Sequence, residues 1–325
     1  MSTPSRQKNH GIRAALASAA FLGMTPVFGK QAILMGFPPL GVVALRTLMA
    51  AALLLLVIFV VNRRYFYIYP AGLVGCLLAG GINGTGSLLY YASLGRIDAG
   101  LGQLLYATYP LFVALWLHLD REPLGRLTIL RMLLVIPAIF LLTQTGNHHI
   151  DPVGMGMMLG AAALYALHLP INQRVLYEMP APTVTFFTLL AMSLVVVPAY
   201  FLSTFFSPAS AIPNNASSSA WSAVFALTLV TFLSRITLFV GVKHLGGMQT
   251  AILGLGELLV TLVFAHLLLG EHFSPMQWIG MVLLVVALLM VRMEKGPNHR
   301  ASAGGWLSWL RPPNIPKDLP WQPHD

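Results

Sequence analysis

Residues 16–49, LASAAFLGMTPVFGKQAILMGFPPLGVVALRTLM, align without a gap on residues 159–192, LGAAALYALHLPINQRVLYEMPAPTVTFFTLLAM. Leu16 falls on Leu159, Ala19 on Ala162, Ala20 on Ala163, Pro39 on Pro182 and Met49 on Met192. Further on, Leu104 matches Leu253 and Glu122 matches Glu271 at an offset of 149 in place of 143, a difference that a short insertion absorbs. The second copy therefore begins at the sixth apolar run of the chain, and five runs precede it. A repeat unit with an odd number of membrane spans must insert its two copies upside down relative to each other, the build of many secondary transporters.

Working outward, apolar spans are read near 12–35, 40–61, 70–94, 98–119, 126–145, 152–174, 182–204, 220–243, 247–269 and 275–293. At about 1.5 Å per residue each can cross a hydrocarbon core of roughly 30 Å, some with tilt. Composition demands the bilayer as solvent, since only 9% of the 325 residues are charged and 57% are apolar. The single cysteine, Cys76, lies inside a span and offers neither a disulfide nor a zinc motif. The net charge of +9 is spread over short loops and termini, with no basic stripe for nucleic acid.

Those charges instead set topology. With the N-terminus inside, the cytoplasmic segments collect Arg6, Lys8, Arg13, Arg63, Arg64, Arg121, Arg126, Arg174, Lys243, Arg292 and Lys295, and the opposite side holds only Arg96. The full-length first span is expected to stay, not to be cleaved as a signal peptide.

Lys30 late in the first span, Arg46 early in the second, Pro110 in the fourth, and Glu122 and Gly270-Glu271 after the fourth and ninth mark the two five-span repeats. This pattern resembles the EamA-type transporters of the drug/metabolite transporter superfamily over residues 12–293. Leu22-Gly23 stands where the family often has Trp-Gly, Arg121 precedes the first glutamate, and Leu259 replaces the second proline. The resemblance implies a ten-helix carrier with a central cavity lined by spans 1, 3, 4, 6, 8 and 9, moving small organic metabolites such as amino acids, often outward and without ATP.

The residues support a polar interior independently. Asn83, Ser87 and Tyr90 share one face of the third span, Gln103 and Tyr106 of the fourth, and Tyr165, His168 and Asn172 of the sixth. Thr228, Thr231 and Arg235 share a face of the eighth, and Thr250, Gly254, Glu257 and Thr261 of the ninth. Such faces should turn away from lipid. The plainer reading of any one Ser, Thr or Asn is interhelical hydrogen bonding, worth about 0.6 kcal/mol, and Gly80/Gly84 and Gly156/Gly160 read as packing sites.

Ionisable groups carry more weight. Arg235 and Glu257 are deepest, at about 13 and 16 Å from the loop between them by helical rise. They are placed to meet, as a structural pair or in a substrate- or proton-linked role. Lys30 and Arg46 lie about 6–10 Å from the opposite interface. Arg46 reads as a snorkelling side chain, while an inward Lys30 would attract a carboxylate. Glu122 and Glu271 read as helix-end residues, and Ser274-Pro275-Met276-Gln277 as the start of the tenth span.

No HExxH, Walker loop or GxSxG is present, and His148-His149 lacks ligand spacing, so neither an enzyme nor a metal site is expected and no cofactor is implied. The expectation is an all-α integral membrane protein of ten transmembrane helices in two inverted five-helix repeats. Residues 1–11 form a cytoplasmic N-terminus, 12–145 and 152–293 the repeats, and 294–325 a cytoplasmic tail largely without fixed structure, whose Trp306, Leu307, Trp309 and Leu310 could rest in the membrane interface. The expected substrate and cavity residues are Lys30, Asn83, Tyr90, Gln103, Tyr106, Tyr165, His168, Asn172, Arg235 and Glu257. The expected activity is alternating-access export of a small metabolite, an amino acid or related carboxylate being favoured, from a bacterial inner membrane. The lipid bilayer and a small-molecule substrate are the partners, a homodimer is compatible, and nucleic acid is not. A drug or cation efflux carrier of the same fold stays open, as do a passive channel and a non-transporting scaffold.

Overall fold

A computed structural model describes residues 4–94, 96, 105–121, 125–142, 151–176, 179–207, 211–213, 217–260, 263, 274–290 and 305–307. Its helices are α1 (Pro4–Leu34), α2 (Pro39–Val61), a 3-10 turn (Arg63–Phe66), α3 (Pro70–Leu94), α4 (Tyr109–Leu119), α5 (Arg126–Leu142), α6 (Pro152–Leu176), α7 (Ala181–Phe206), α8 (Ser218–Leu245), α9 (Gly247–Gly254) and α10 (Pro275–Leu289). There is no strand among the described residues. Five helices, α2, α3, α6, α7 and α8, are each long and apolar enough to cross a membrane.

Proline opens α2, α3, α6 and α10, where a missing N–H removes a donor that would be orphaned anyway. Asp151 adds a cap to α6 by accepting the Val153 N–H at 2.9 Å, and this bond together with Arg96 holds its carboxyl below the usual range despite some desolvation. Gly246 ends α8 at φ +85°, a conformation that favours glycine, and turns the chain at once into α9. α1 begins earlier than the expected residue 12 because its extra turns have a surface to cover: a Cβ at Gly11 would lie 2.8 Å from that of His244, and the His10 and His244 rings stand 5.4 Å apart.

The helices of the two halves interleave. α1 packs on α8, α3 on α6 and α7, α2 on α7 and α8, and α5 on α10. Gly80 is the closest approach described in the α3–α7 seam: a Cβ there would collide with the Thr188 carbonyl and lie 2.5 Å from the Ala191 Cβ. Gly84 continues it, 3.0 Å from Val195 on the same terms. The other small-residue pair does not pack this way, because a Cβ at Gly156 meets nothing within 4 Å and one at Gly160 only Leu89 at 3.6 Å. Leu56, Val60, Phe205 and Phe206 are exposed, as a lipid-facing belt requires.

Polar side chains tie the bundle at the end where α4, α6 and α8 finish. Arg174 of α6 meets Asp120, just past α4, at 2.5 Å, and both side chains are buried. This corrects the reading of Arg174 as a loop cation: it lies inside α6 and is 2% exposed. Gln173 accepts the Gly247 N–H at 2.6 Å, and Lys243 donates to the Met179 carbonyl at 2.9 Å. Arg131 of α5, fully buried, donates to the Ala287 carbonyl of α10 at 3.1 Å and to Gln249 of α9.

Candidate functional site

Two repeat-related helices are interrupted at nearly corresponding places. Leu105 and Tyr106 are helical, Ala107 and Thr108 form a turn, and α4 resumes at Tyr109. Pro110 explains the break, since it has no N–H for the Tyr106 carbonyl and its ring crowds that oxygen. Tight i→i+3 bonds replace the ladder, from Thr108 N–H to Leu105 O at 3.2 Å and Leu111 N–H to Thr108 O at 2.9 Å. In α9 the break falls at Leu255, with bonds from Leu255 N–H to Ile252 O at 3.2 Å and Leu258 N–H to Leu255 O at 3.0 Å, before residues 256–260 resume the helix. The offset of 149 carries Ala107 onto Gly256, next to the turn at Leu255, so the two interruptions fall within a residue or two of each other. α9 has no proline there. Leu255 is instead flanked by Gly254 and Gly256, the poorest helix formers after proline.

One bond fastens the two breaks together. Because the Leu255 N–H turns to Ile252, the buried Ala251 carbonyl loses its i+4 donor, and the Tyr109 hydroxyl supplies another at 2.8 Å. Gly254 makes room, for a Cβ there would collide with that hydroxyl. Tyr109→Phe should cost about 1–3 kcal/mol by orphaning a buried carbonyl. Thermal unfolding of the purified variant in detergent checks this, and an unchanged midpoint would show that the carbonyl finds another donor.

Around the breaks stands a cluster of rings from both halves. Tyr90 of α3 meets Tyr106 at 4.9 Å, Tyr106 meets Tyr165 of α6 at 5.5 Å, and Tyr109 meets Tyr165 edge-on at 5.0 Å. His168 lies 4.7 Å from Tyr165 and contacts the Tyr165 carbonyl through Nδ1. The Arg235 guanidinium of α8 sits 6.0 Å from the centre of the same ring. Two nitrogens beside that ring, Arg235 Nη1 and His168 Nε2, are buried with no hydrogen-bond partner among the described residues. Glu257, just beyond the α9 break, is 9% exposed. α1 passes close to it: a Cβ at Gly23 would lie 2.7 Å from the Glu257 carbonyl.

The structure thus brings Tyr90, Tyr106, Tyr165, His168 and Arg235 of the expected set together, with Glu257 beside the α9 break. No direct ion pair joins Arg235 to Glu257 among the described residues; the guanidinium leans over Tyr165 instead. Asn83 and Asn172 act as ties between helices: Asn83 reaches Met192 Sδ of α7 at 3.7 Å, and Asn172 accepts the Thr188 hydroxyl at 3.1 Å. Ser87, Thr228 and Thr231 donate back to carbonyls of their own helices. Gln103, Thr261, Glu122, Glu271 and the Lys30 side chain lie outside the described residues. Arg46 does not snorkel. It is 8% exposed, rests 5.5 Å from the Tyr91 ring centre and leaves Nε buried without a hydrogen bond among the described residues, because the surrounding helices enclose it. Tyr109 is the site residue that sequence reasoning missed, although it follows Tyr106 by three residues.

A broken helix stands in each of two repeats, with aromatic and charged groups around the breaks, in an all-helical membrane fold. The EamA-like transporter family model matches this chain twice, over residues 9–144 and 152–293, and the chain belongs to that family and so to the drug/metabolite transporter superfamily. It is a multi-pass membrane transporter of that type. One solved structure, described only as "Crystal structure of protein", superposes with a TM-score of 0.71 at 19% identity, covering 90% of this chain and 98% of that one. Comparison with curated proteins gives no significant match.

Proposed function

We propose that this chain exports a small carboxylate-bearing metabolite, an amino acid being favoured, by alternating access of two inverted repeats around the tyrosine cluster. The observation that carries the reading is Arg235 Nη1, a buried donor beside Tyr165 with no hydrogen-bond partner among the described residues, at the ring cluster where Tyr106 of the first repeat meets Tyr165 of the second. A buried guanidinium N–H is ordinarily satisfied, and a carboxylate is the acceptor that suits it best, whereas His168, whose Nδ1 donates to the Tyr165 carbonyl, offers Nε2 as an acceptor for a substrate N–H. The ring faces of Tyr90, Tyr106 and Tyr165, with Glu257 near them, suit an ammonium group on the same molecule. Lys30 and Gln103 belong to the proposed lining. The mirrored breaks are the expected hinges, as interrupted helices at corresponding positions flank the sites of many carriers. A cation efflux carrier is the second reading, favoured by the tyrosine rings and Glu257 and opposed by the buried Arg235.

Counterflow in liposomes tests both. A labelled amino acid or organic acid should exchange faster when unlabelled substrate is present on both sides; acceleration by cations alone would favour the second reading, and conductance without acceleration a channel.

A bacterial inner-membrane location with both termini in the cytoplasm is part of this proposal, and the loop-charge bias supports the orientation. Alkaline phosphatase fused after His299 should be inactive, and fused at Pro213 active. The opposite pattern would reverse the orientation.

A further inference from the structure

Three residues of the C-terminal tail are seated in the bundle. Leu307 is 1% exposed and clusters with Ala79 of α3 and Ile171 of α6, with Ile82 and Leu167 packed against them. Its N–H donates to Asp120 Oδ1 at 3.0 Å. The other oxygen of that carboxylate accepts Arg174 Nε at 3.2 Å and Nη2 at 2.5 Å. Gly305 lies so close to Asp120 that a Cβ would stand 2.6 Å from its Cγ, and Trp306 between them is half exposed. One carboxylate of the first repeat is thereby shared between an arginine of the second repeat and the tail.

We propose that residues 305–307 are a latch: a ligand carried by the chain itself that docks across the seam of the two repeats and slows the opening of that end. This rests on the alternating-access reading, in which the repeats part where α3 and α4 meet α6. Each contact of the latch joins elements that separate on opening, so the latch favours the closed state and resists the open one. Three residues would bind weakly as a free peptide. Tethered after α10 they act at an effective concentration in the millimolar range, and a short contact suffices. The recognition is specific in kind: no side chain at the position against Asp120, a backbone donor for the carboxylate, and a branched apolar side chain for the α3–α6 pocket.

Gly305→Val and Leu307→Asp each remove one element without touching the bundle. Three readouts separate the possibilities: amide exchange at Leu307, counterflow rate in liposomes, and labelling of Leu169→Cys by a membrane-impermeant maleimide in a Cys76→Ser background. Leu169 is buried beside Gly247 at the same end and reports opening without any substrate. The latch predicts a protected Leu307 amide in the unsubstituted chain, lost protection in both variants, and labelling and counterflow raised about fivefold or more, the lower range of ordinary couplings. An unprotected amide in the unsubstituted chain overturns it, as do variants that release the tail with labelling unchanged or slowed. Absent counterflow with labelling still raised would sink the transport reading and leave the latch standing.

Discussion

Arg235→Gln is expected to lower counterflow of a carboxylate substrate about ten- to a hundredfold while leaving the amount of protein in the membrane unchanged. A hydrogen bond to a charged group is worth about 1.5–3 kcal/mol, and each 1.4 kcal/mol is a factor of ten. The guanidinium is held over Tyr165, and its Nη1 is buried with no hydrogen-bond partner among the described residues, so much of its desolvation cost is met before a ligand arrives. Arg235→Lys should recover little, because an ammonium lacks the planar fork that pairs two nitrogens with two carboxylate oxygens. With no direct bridge to Glu257, neutralising Glu257 as well should not restore the loss. A double variant that transports better than Arg235→Gln alone would show that the two charges chiefly answer each other.

The second large effect concerns stability. Asp120→Asn leaves Arg174 facing a neutral amide in a site where both side chains are buried, and breaking such a pair from one side costs about 3–5 kcal/mol. Replacing both, Asp120→Asn with Arg174→Gln, should cost less than the single change, since no uncompensated charge remains. Thermal unfolding followed by size-exclusion chromatography in detergent measures both. A single variant as stable as the parent would mean that water or lipid headgroups reach the arginine.

How much of this was legible beforehand depends on the scale of the cause. Pro275 announced the start of α10 because proline acts through its own ring, on its own residue. That Tyr106, Tyr165 and Arg235 lie together was legible because a polar group in an apolar helix needs a reason at whatever place it occupies. Asp120 was passed over and Arg174 read as a loop charge, since hydropathy sees a charge at the edge of a span and cannot see that its partner is 54 residues away. Tyr109 escaped for a sharper reason: its acceptor lies 142 residues later and is free only because α9 is broken at Leu255. Gly80 and Gly156 open the same spacing motif, yet only the first meets a neighbouring backbone, a fact that belongs to the neighbour.

The interleaving of the two halves has a consequence for how the protein is made. Among the described residues the helices of the first repeat find their main packing partners in the second. Gly80 and its partner Ala191 are separated by about 110 residues, some 5–20 s of synthesis at ordinary elongation rates. Through that interval α3 exposes its glycine seam to lipid or to the insertion machinery. The ancestral duplication left two copies of a sequence but not two independent folding units: the nascent first half stays a bundle in waiting, open to membrane proteases, until α6 and α7 leave the ribosome to close it.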